Sequence, residues 1–453
     1  MKEKKKNSRK IRSRIMSLAL VAAMAAASAG CSQTTSNRTQ IDYWLWDANQ
    51  LPSYAKCING FEAENPEISV RITQIGWDDY WTKLTASFVA GTAPDVFTDH
   101  VGRYPQFMRR NVLQPLDEVD SVGKVKPSDF MPGLTSLWTG DDGHLYGMPK
   151  DYDTIALMYD QKKLEDAGVT TKELETATWN PDDGGSLEKI LARLTIDDKG
   201  RRGDDPTFDP AHVKQYALGT DPYFDYAGQT NWSPFALSTG WRHTDKPTWG
   251  TRFQYDDPRF IKSIGWYTGL SRKGYMPKMG QFGKSVTSDQ QLGSGKVAMS
   301  LTGSWMLQTY AHLKGIKLGI APLPSGPSGH PVSLYNGLGD SISRSSKHKT
   351  EAGKLVSYLG SDACQVVMGQ DAIVFPARPR GTEAAIEAFD EEGLDVTPFT
   401  DRVKRRETAL YPIVDNAATV DSILQPSLDS VWMGTEKPSV FIKQNERVNK
   451  AIR

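Results

Sequence analysis

The sequence predicts an α/β fold organised in two domains. Two observations carry that expectation: strand-period and helix-period apolar runs alternate over residues 41–97, and the 453-residue chain is longer than one hydrophobic core usually organises. Residues 41–46 form a short apolar and aromatic run that reads as a buried strand. Leu51, Tyr54, Ile58 and Phe61 then recur at helical spacing, and Asn65-Pro66 stops that helix. Ile68, Val70 and Ile72 alternate as a strand does. Trp77, Trp81, Leu84 and Phe88 return to the helical period, Ala90-Gly91 ends it, and Asp95-Val96-Phe97 opens the next strand. A β-α-β-α-β order builds a parallel sheet covered by helices, because parallel strands need crossover connections.

Residues 180–209 change character. NPDDGG precedes a helix-like SLEKILARLT, and IDDKGRRGDDPTFD follows, so the segment reads as a surface insertion with loop ends. Asp197, Asp198 and Gly200 faintly suggest a calcium loop, but the alternating acids and distal Glu of an EF-hand are missing, and a solvated loop is preferred. Residues 221–255 are dense in rings: Tyr223, Phe224, Tyr226, Trp232, Phe235, Trp241, Trp249, Phe253 and Tyr255, with no period to organise them. Core packing accounts for some, but several lie among Gly, Pro and Asn, where rings tend to line a cleft. Helical and strand patterns then alternate to Leu323-Pro324, and the remainder reads mainly as helices with a Pro-rich link over residues 375–380.

The first fourteen residues carry eight basic side chains against one acid, and an apolar run over residues 15–27 follows. That is the secretory pattern, and the run is shorter than the roughly 20 apolar residues a membrane-spanning helix needs. Residues 1–30 therefore read as a cleaved export signal. Ala29-Gly30-Cys31-Ser32 resembles a bacterial lipobox, with Ser28 where a branched apolar residue is usual. The expectation is lipid on Cys31 and a polar tether over residues 31–40, the alternative being ordinary cleavage nearby and a free thiol. The whole chain balances 54 bases with 54 acids, so losing the signal leaves seven more acids than bases. Such a charge repels phosphate backbones and argues against a nucleic-acid partner. Cys57 and Cys364 have no metal-ligand spacing, and two separate buried thiols are favoured over a disulfide.

Five segments follow in order: Phe88-Val89-Ala90-Gly91-Thr92-Ala93-Pro94-Asp95-Val96; Asn111-Val112-Leu113-Gln114-Pro115-Leu116; Asp142-Gly143-His144-Leu145-Tyr146-Gly147-Met148-Pro149, with Tyr159-Asp160 beyond; Gly295-Lys296-Val297-Ala298-Met299 with Gly303-Ser304-Trp305; and Ile320-Ala321-Pro322-Leu323-Pro324. In order and spacing they resemble the extracellular solute-binding proteins that serve ABC importers, in particular the carbohydrate-binding branch (family 1). The resemblance implies a periplasmic-binding-protein-like fold of class II, with two α/β lobes, crossing segments between them and a ligand cleft. The lobes are expected at residues 41–152 plus 306–350 and residues 153–305 plus 351–453. Membrane permeases and a separate ATPase are implied as partners. Gly295-Lys296 lacks the upstream Gly and the Ser or Thr of a GxxxxGK[ST] loop, so this chain carries no nucleotide site of its own there.

Ligands of parallel α/β sheets sit beyond the carboxyl ends of strands. That rule selects Trp46 and Asp47 after the first strand, and Asp99 and His100 after the third. A sugar presents hydroxyls that donate and accept and a C–H face, so short polar side chains beside a flat ring suit it. Helix capping is the alternative for Asp47 and Asp99, and Trp46 alternatively closes the top of the sheet. Asp151 and Asp153 lie where the resemblance puts a crossover. They are expected to diverge along the extended chain, which makes them a poor glycosidase pair and better ligand or hinge residues. Tyr226, Trp232 and Trp241 are candidates for stacking from the second lobe, with Trp305 facing them and core packing as the alternative for each. Asn336, within Tyr335-Asn336-Gly337-Leu338-Gly339, and Arg378, after Pro376-Ala377, rest on position in the resemblance.

No GxSxG, no HExxH and no clustering among the seven histidines points to a hydrolase or a metal site. The expected protein is a monomeric, lipid-anchored receptor without cofactor or metal, closing on a sugar of oligosaccharide size. A surface glycoside hydrolase and a peptide or polyamine receptor are the alternatives.

Overall fold

The computed structural model describes residues 38–221, 225–283 and 285–452. The export signal, Cys31 with the tether up to residue 37, and the aromatic residues Tyr223 and Phe224 lie outside them.

Strands β1 (Thr39–Leu45), β2 (Ile68–Gln74) and β3 (Val96–His100) alternate with helices Leu51–Glu64 and Trp77–Ala90, as the apolar spacing predicts. β1 pairs in parallel with both neighbours, and its alternate residues Ile41, Tyr43 and Leu45 are buried. Helix Trp77–Ala90 stops at Gly91, whose φ of +68° is the left-handed conformation that a Cβ disfavours. β4 (Leu113–Gln114) and β5 (Met148–Pro149) follow on the same side.

The chain then crosses through β6 (Asp151–Tyr152) into β7 (Ile155–Asp160), β8 (Ile196–Asp197), β9 (Val213–Gly219), β10 (Val297–Gly303) and β11 (Leu318–Ala321). These last five form the second sheet, in the order β11-β7-β10-β9-β8. Every residue of β7 and β10 is buried, which marks central strands covered on both faces. The return runs through β12 (Ser333–Tyr335) to β13 (Leu338–Ser343), which inserts antiparallel to β3 and β4 and completes the first sheet as β2-β1-β3-β13-β4. β14 (Phe375–Pro376) pairs with β6, and β15 (Thr408–Leu410) with β12, so the crossing segments lie against one another.

Three expectations change. β11 pairs with β7, so residues 307–321 belong with the second sheet, whereas helices Lys349–Leu359, Asp362–Gln370 and Pro379–Glu391 pack with the first through helix Leu51–Glu64. The proposed lobe boundaries at 306–350 and 351–453 are displaced accordingly, because a periodic pattern reveals a strand or helix without revealing the sheet it joins. Cys57 and Cys364, expected as separate thiols, form a disulfide with Cα atoms 5.0 Å apart, linking helix Leu51–Glu64 to helix Asp362–Gln370. Asp197 is buried where a solvated loop was expected. Its carboxylate accepts the N–H groups of Lys199, Arg201 and Asp209 and pairs with the Arg201 guanidinium, so it folds the loop back on itself. Among the described residues no group of three or more His, Cys, Asp or Glu could hold a metal ion.

Candidate functional site

A cavity of about 480 Å³ lies where the two sheets face each other, walled by residues 46–50, by the crossing residues 151–153, and from the opposite lobe by Gln229 and residues 304–306. Each wall follows from local chain behaviour. Beyond β1, Asp47 Oδ1 accepts the N–H of Asn49 at 2.8 Å, a turn that leads the chain into helix Leu51–Glu64. That helix is capped at Gln50 without a side-chain bond, so Asp47 turns the chain and does not cap it. Trp46 is half-buried, with its ring centroid 5.2 Å from Trp77, 5.2 Å from Tyr80 and 5.3 Å from Trp81. Trp77 is 45% exposed and lines the same cavity. Helical spacing put it on the core face, but it opens the first turn of its helix and stands free of the sheet. An apolar ring immediately after a strand-to-helix turn was the signal available for it.

At the end of β3, His100 faces the cavity and Asp99 does not, since neighbours on a strand point to opposite faces. Asp99 is fully buried; its Oδ1 accepts the N–H of His100 at 2.8 Å, and burial pushes its carboxyl up to about 8. Neither the expected cleft position nor helix capping describes it, because helix Tyr104–Arg109 has no side-chain cap bond. His100 Nδ1 accepts the N–H of Gly102 at 3.0 Å, and burial, reinforced by the Arg103 cation, lowers the ring's pKa to about 3. The imidazole is therefore neutral at physiological pH.

Asp151 and Asp153 both line the cavity. The expectation that they diverge is corrected: residues two apart on an extended strand share a face. Asp151 accepts the N–H of Leu338 at 3.2 Å and the amide of Gln50 at 3.5 Å, and burial, opposed by Lys150, places its carboxyl at about 7. Asp153 accepts Gln229 Nε2 at 2.6 Å and Asn336 Nδ2 at 3.1 Å, while burial and the neighbouring Asp151 charge raise its pKa well above the ordinary value. Asn336 Nδ2 also lies 3.1 Å from His100 Nε2; with Nδ1 accepting, the neutral ring carries its proton on Nε2, so these two nitrogens are close neighbours and not a hydrogen-bonded pair. Trp305 rests on Gly303: a Cβ there would come within 1.8 Å of the indole, so only glycine lets the ring lie back over β10.

Beneath the crossing, Lys150 was missed by the sequence reading. Its side chain is 1% exposed, and Nζ donates to Thr98 Oγ1 at 2.6 Å and Tyr43 OH at 2.9 Å. Nζ also lies 3.6 Å from Asp340 Oδ1 and 3.9 Å from the Tyr54 ring centroid. A lysine inside the apolar YGMPK run was the available clue, since a buried ammonium must be paired.

Four further candidates lie outside the cavity, three of them in the aromatic core of the second lobe. Tyr226, Trp232 and Trp241 are 5%, 1% and 0% exposed. Trp232 packs 5.8 Å from Trp241 and 5.2 Å from Phe260, and Trp241 Nε1 donates to the carbonyl of Gln254 at 2.7 Å. Arg378 sits at the start of helix Pro379–Glu391 with Nε donating to the carbonyl of Gly360 at 2.7 Å and its guanidinium 4.7 Å from the Phe130 ring centroid. It ties elements of the first lobe together.

Two helix-covered sheets, adjoining crossings and a polar, ring-lined cavity between the lobes define a protein built to enclose a small solute. Residues 56–386 match the sequence profile of the bacterial extracellular solute-binding proteins, and the chain belongs to that family. The maltodextrin-binding protein MdxE of Bacillus subtilis (strain 168) is 26% identical over 406 residues, covering 86% of this chain and 84% of its own length. Among solved structures, an ABC substrate-binding protein of Listeria monocytogenes in complex with cycloalternan superposes with a TM-score of 0.75 at 18% identity, over 91% of this chain and 99% of that one. UgpB of Mycobacterium tuberculosis, in complex with glycerophosphocholine, superposes at 0.73 with 17% identity, over 91% and 98% of the two chains. At these identities the structures establish the shared two-domain fold.

Proposed function

We propose that this protein is the receptor of an ABC importer, capturing a carbohydrate of oligosaccharide size in the cleft and delivering it, as a monomer, to membrane permeases. The observation that carries this reading is the cleft's composition: the rings of Trp46, Trp77 and Trp305 stand around Asp47, Asn49, Gln50, Asp151, Asp153, Gln229 and Asn336. Apolar faces beside groups that donate and accept match the two surfaces of a sugar ring. The sugar-binding relatives support the same assignment. A hydrolase reading is weaker, because the carboxylates of Asp151 and Asp153 already accept hydrogen bonds from Gln50, Leu338, Gln229 and Asn336. A cationic solute is also less well served, since Asp151 already sits beside the buried Lys150.

A thermal-shift screen over mono- and oligosaccharides, peptides and polyamines tests the reading. A sugar at 100 times its Kd should stabilise the fold by about 2.7 kcal/mol and be recovered intact after prolonged incubation. Products in the incubation would indicate an enzyme, and stabilisation by polyamines or peptides alone would replace the carbohydrate. No helix among the described residues is long and apolar enough to cross a membrane. The proposed anchor is lipid on Cys31 after removal of residues 1–30, with a polar tether holding the receptor near its permease. Cys31→Ala should move the protein from the membrane fraction into the medium, and its retention at the membrane would contradict the anchor.

A further inference from the structure

His100, at the end of β3, and Asn336, on the return crossing between β12 and β13, both line the cleft, and a backbone N–H orients each of them. His100 Nδ1 accepts the N–H of Gly102 at 3.0 Å, so the proton of the neutral ring is on Nε2. The ring is held edge-on between Trp77, at 5.9 Å, and Tyr411, at 5.5 Å. Asn336 Oδ1 accepts the N–H of Gly337 at 2.9 Å, which turns the amide nitrogen the other way. One N–H of that nitrogen donates to Asp153 Oδ2 at 3.1 Å. Turning the amide over would set its NH2 against the Gly337 N–H and lose both bonds.

Two donors are left facing each other. His100 Nε2 and Asn336 Nδ2 are 3.1 Å apart, and among the described residues the Nε2 proton has no acceptor. Asn336 is 3% exposed, so its second N–H has little access to solvent. Two N–H groups bring like partial charges together, and neither satisfies the other. One oxygen at about 2.9 Å from each nitrogen accepts both bonds. An ammonium or a C–H group in that place leaves both donors unpaired, and the ammonium adds its own charge to theirs. A sugar hydroxyl meets the requirement, since its oxygen takes both bonds and its hydrogen is still free to donate elsewhere.

We infer that His100 Nε2 and Asn336 Nδ2 form a twin-donor pair that reads one hydroxyl oxygen of the sugar, which makes these two residues specificity determinants of the cleft. The inference rests on the carbohydrate reading above and narrows it: the preferred sugar carries a hydroxyl where it meets the pair, and its deoxy or amino counterpart at that position is rejected. Trp77, edge-on to the imidazole, supplies apolar surface for the C–H group beside that hydroxyl. His100 belongs to the first sheet, whereas Asn336 is tied through Asp153 to Gln229 of the second lobe. The same oxygen therefore joins the first lobe to the crossing.

Nitrogen NMR of the imidazole rings, with His100→Phe to identify the His100 signals, tests the pair without ligand. A proton on Nε2 and a bare Nδ1 at neutral pH are expected; a proton on Nδ1, or a charged ring, would overturn the donor pair. Calorimetry with maltotriose, mannotriose and lactose, and with monodeoxy and amino-for-hydroxyl derivatives of those that bind, tests the ligand side. In wild type, replacing one particular hydroxyl by hydrogen should weaken binding about tenfold, and an amine in its place should weaken it further. The His100 Nε2 signal should move on saturation with the parent sugar. In His100→Phe the penalty for losing that hydroxyl should shrink to about twofold or less. Lost packing alone would weaken every derivative alike, and only a donor lost to one oxygen singles out one hydroxyl. The wild-type readouts do not depend on the variant folding. A bound sugar that leaves the Nε2 signal unmoved, or deoxy penalties equal in wild type and His100→Phe, would overturn the pair while leaving the carbohydrate receptor standing. Failure of every sugar to bind would remove the carbohydrate reading and this narrowing of it together.

Discussion

Asp151 shows what the cleft costs the fold at the level of one residue. Burial holds its carboxyl at about 7, above the ordinary value of 3.8, so the native state keeps a proton that the unfolded chain releases. Asp99, at about 8, acts in the same direction. The buried His100 and His243, lowered to about 3, oppose them only where an unfolded histidine is protonated, below about pH 6.5. Between pH 6.5 and 8 the buried carboxylates, joined by His144, whose ring the hydrogen bond to Asp117 holds above its ordinary value, give a slope of one sign, and stability must fall as pH rises. The melting temperature should drop over that window, and Asp151→Asn should flatten the drop and be the more stable form at pH 8, by about 1 kcal/mol. A wild type with no slope in this window would show that Asp151 ionises normally. Trp46 and Trp232 separate function from packing. Trp46→Ala should weaken ligand affinity tenfold or more with little change in the denaturation midpoint, whereas Trp232→Ala, removing a ring 1% exposed, should cost about 3–5 kcal/mol of stability. Equal effects of both substitutions on affinity would contradict this division.

At the scale of elements, the disulfide Cys57–Cys364 clamps the helix that follows the Trp46 turn to helix Asp362–Gln370. Ser53 and Lys56 reinforce the clamp by donating to Asp371 at 2.7 Å and 2.6 Å. The cross-link closes a separation of 307 residues, so its loss frees the unfolded chain extensively. Cys57→Ser with Cys364→Ser should lower unfolding free energy by about 2–5 kcal/mol in chemical denaturation, and the same loss should appear in wild type under reductant. An unchanged midpoint would mean the helices are held by packing alone. The pairing also marks where the sequence stops being informative. Helices Leu51–Glu64 and Trp77–Ala90 were legible because their apolar period, the Asn65-Pro66 stop and the Gly91 end are local signals. Partners such as Cys57 and Cys364, or β7 and β11, lie far apart in the chain, and no local pattern joins them. The same limit divides the site. Trp46, Asp47, His100, Asp151, Asp153, Trp305 and Asn336 reach the cavity from strand ends and crossings, which a topological rule can select. Tyr226, Trp232 and Trp241 come from a segment without period, where a ring among turn residues looks the same whether it lines a cleft or fills a core.

For the whole molecule, the arrangement of crossings decides what ligand binding can do. Asp153 lies in the first crossing, forms an antiparallel bridge with Asn336 in the second, and reaches Gln229 of the second lobe at 2.6 Å. The cleft walls therefore belong to different lobes but are referred to one shared seam. A change of dihedral angles at the seam rotates the lobes without disturbing either sheet, which is hinge closure. Arg109 on the first lobe already meets Asp415 on the second, so the opposite rim supplies contacts that a closed form can keep. A solute touching Trp46 and Trp305 together contacts both lobes only when they are close, and that differential contact is what moves the equilibrium. Small-angle scattering should accordingly give a smaller radius of gyration at ligand saturation than without ligand. The double variant Arg109→Gln with Asp415→Asn, which loses the rim pair, should be more open without ligand and close by a larger step. If saturation leaves the radius unchanged in both proteins, the lobes close without the solute's help, and recognition by the permease must then depend on the bound sugar itself rather than on the receptor's shape.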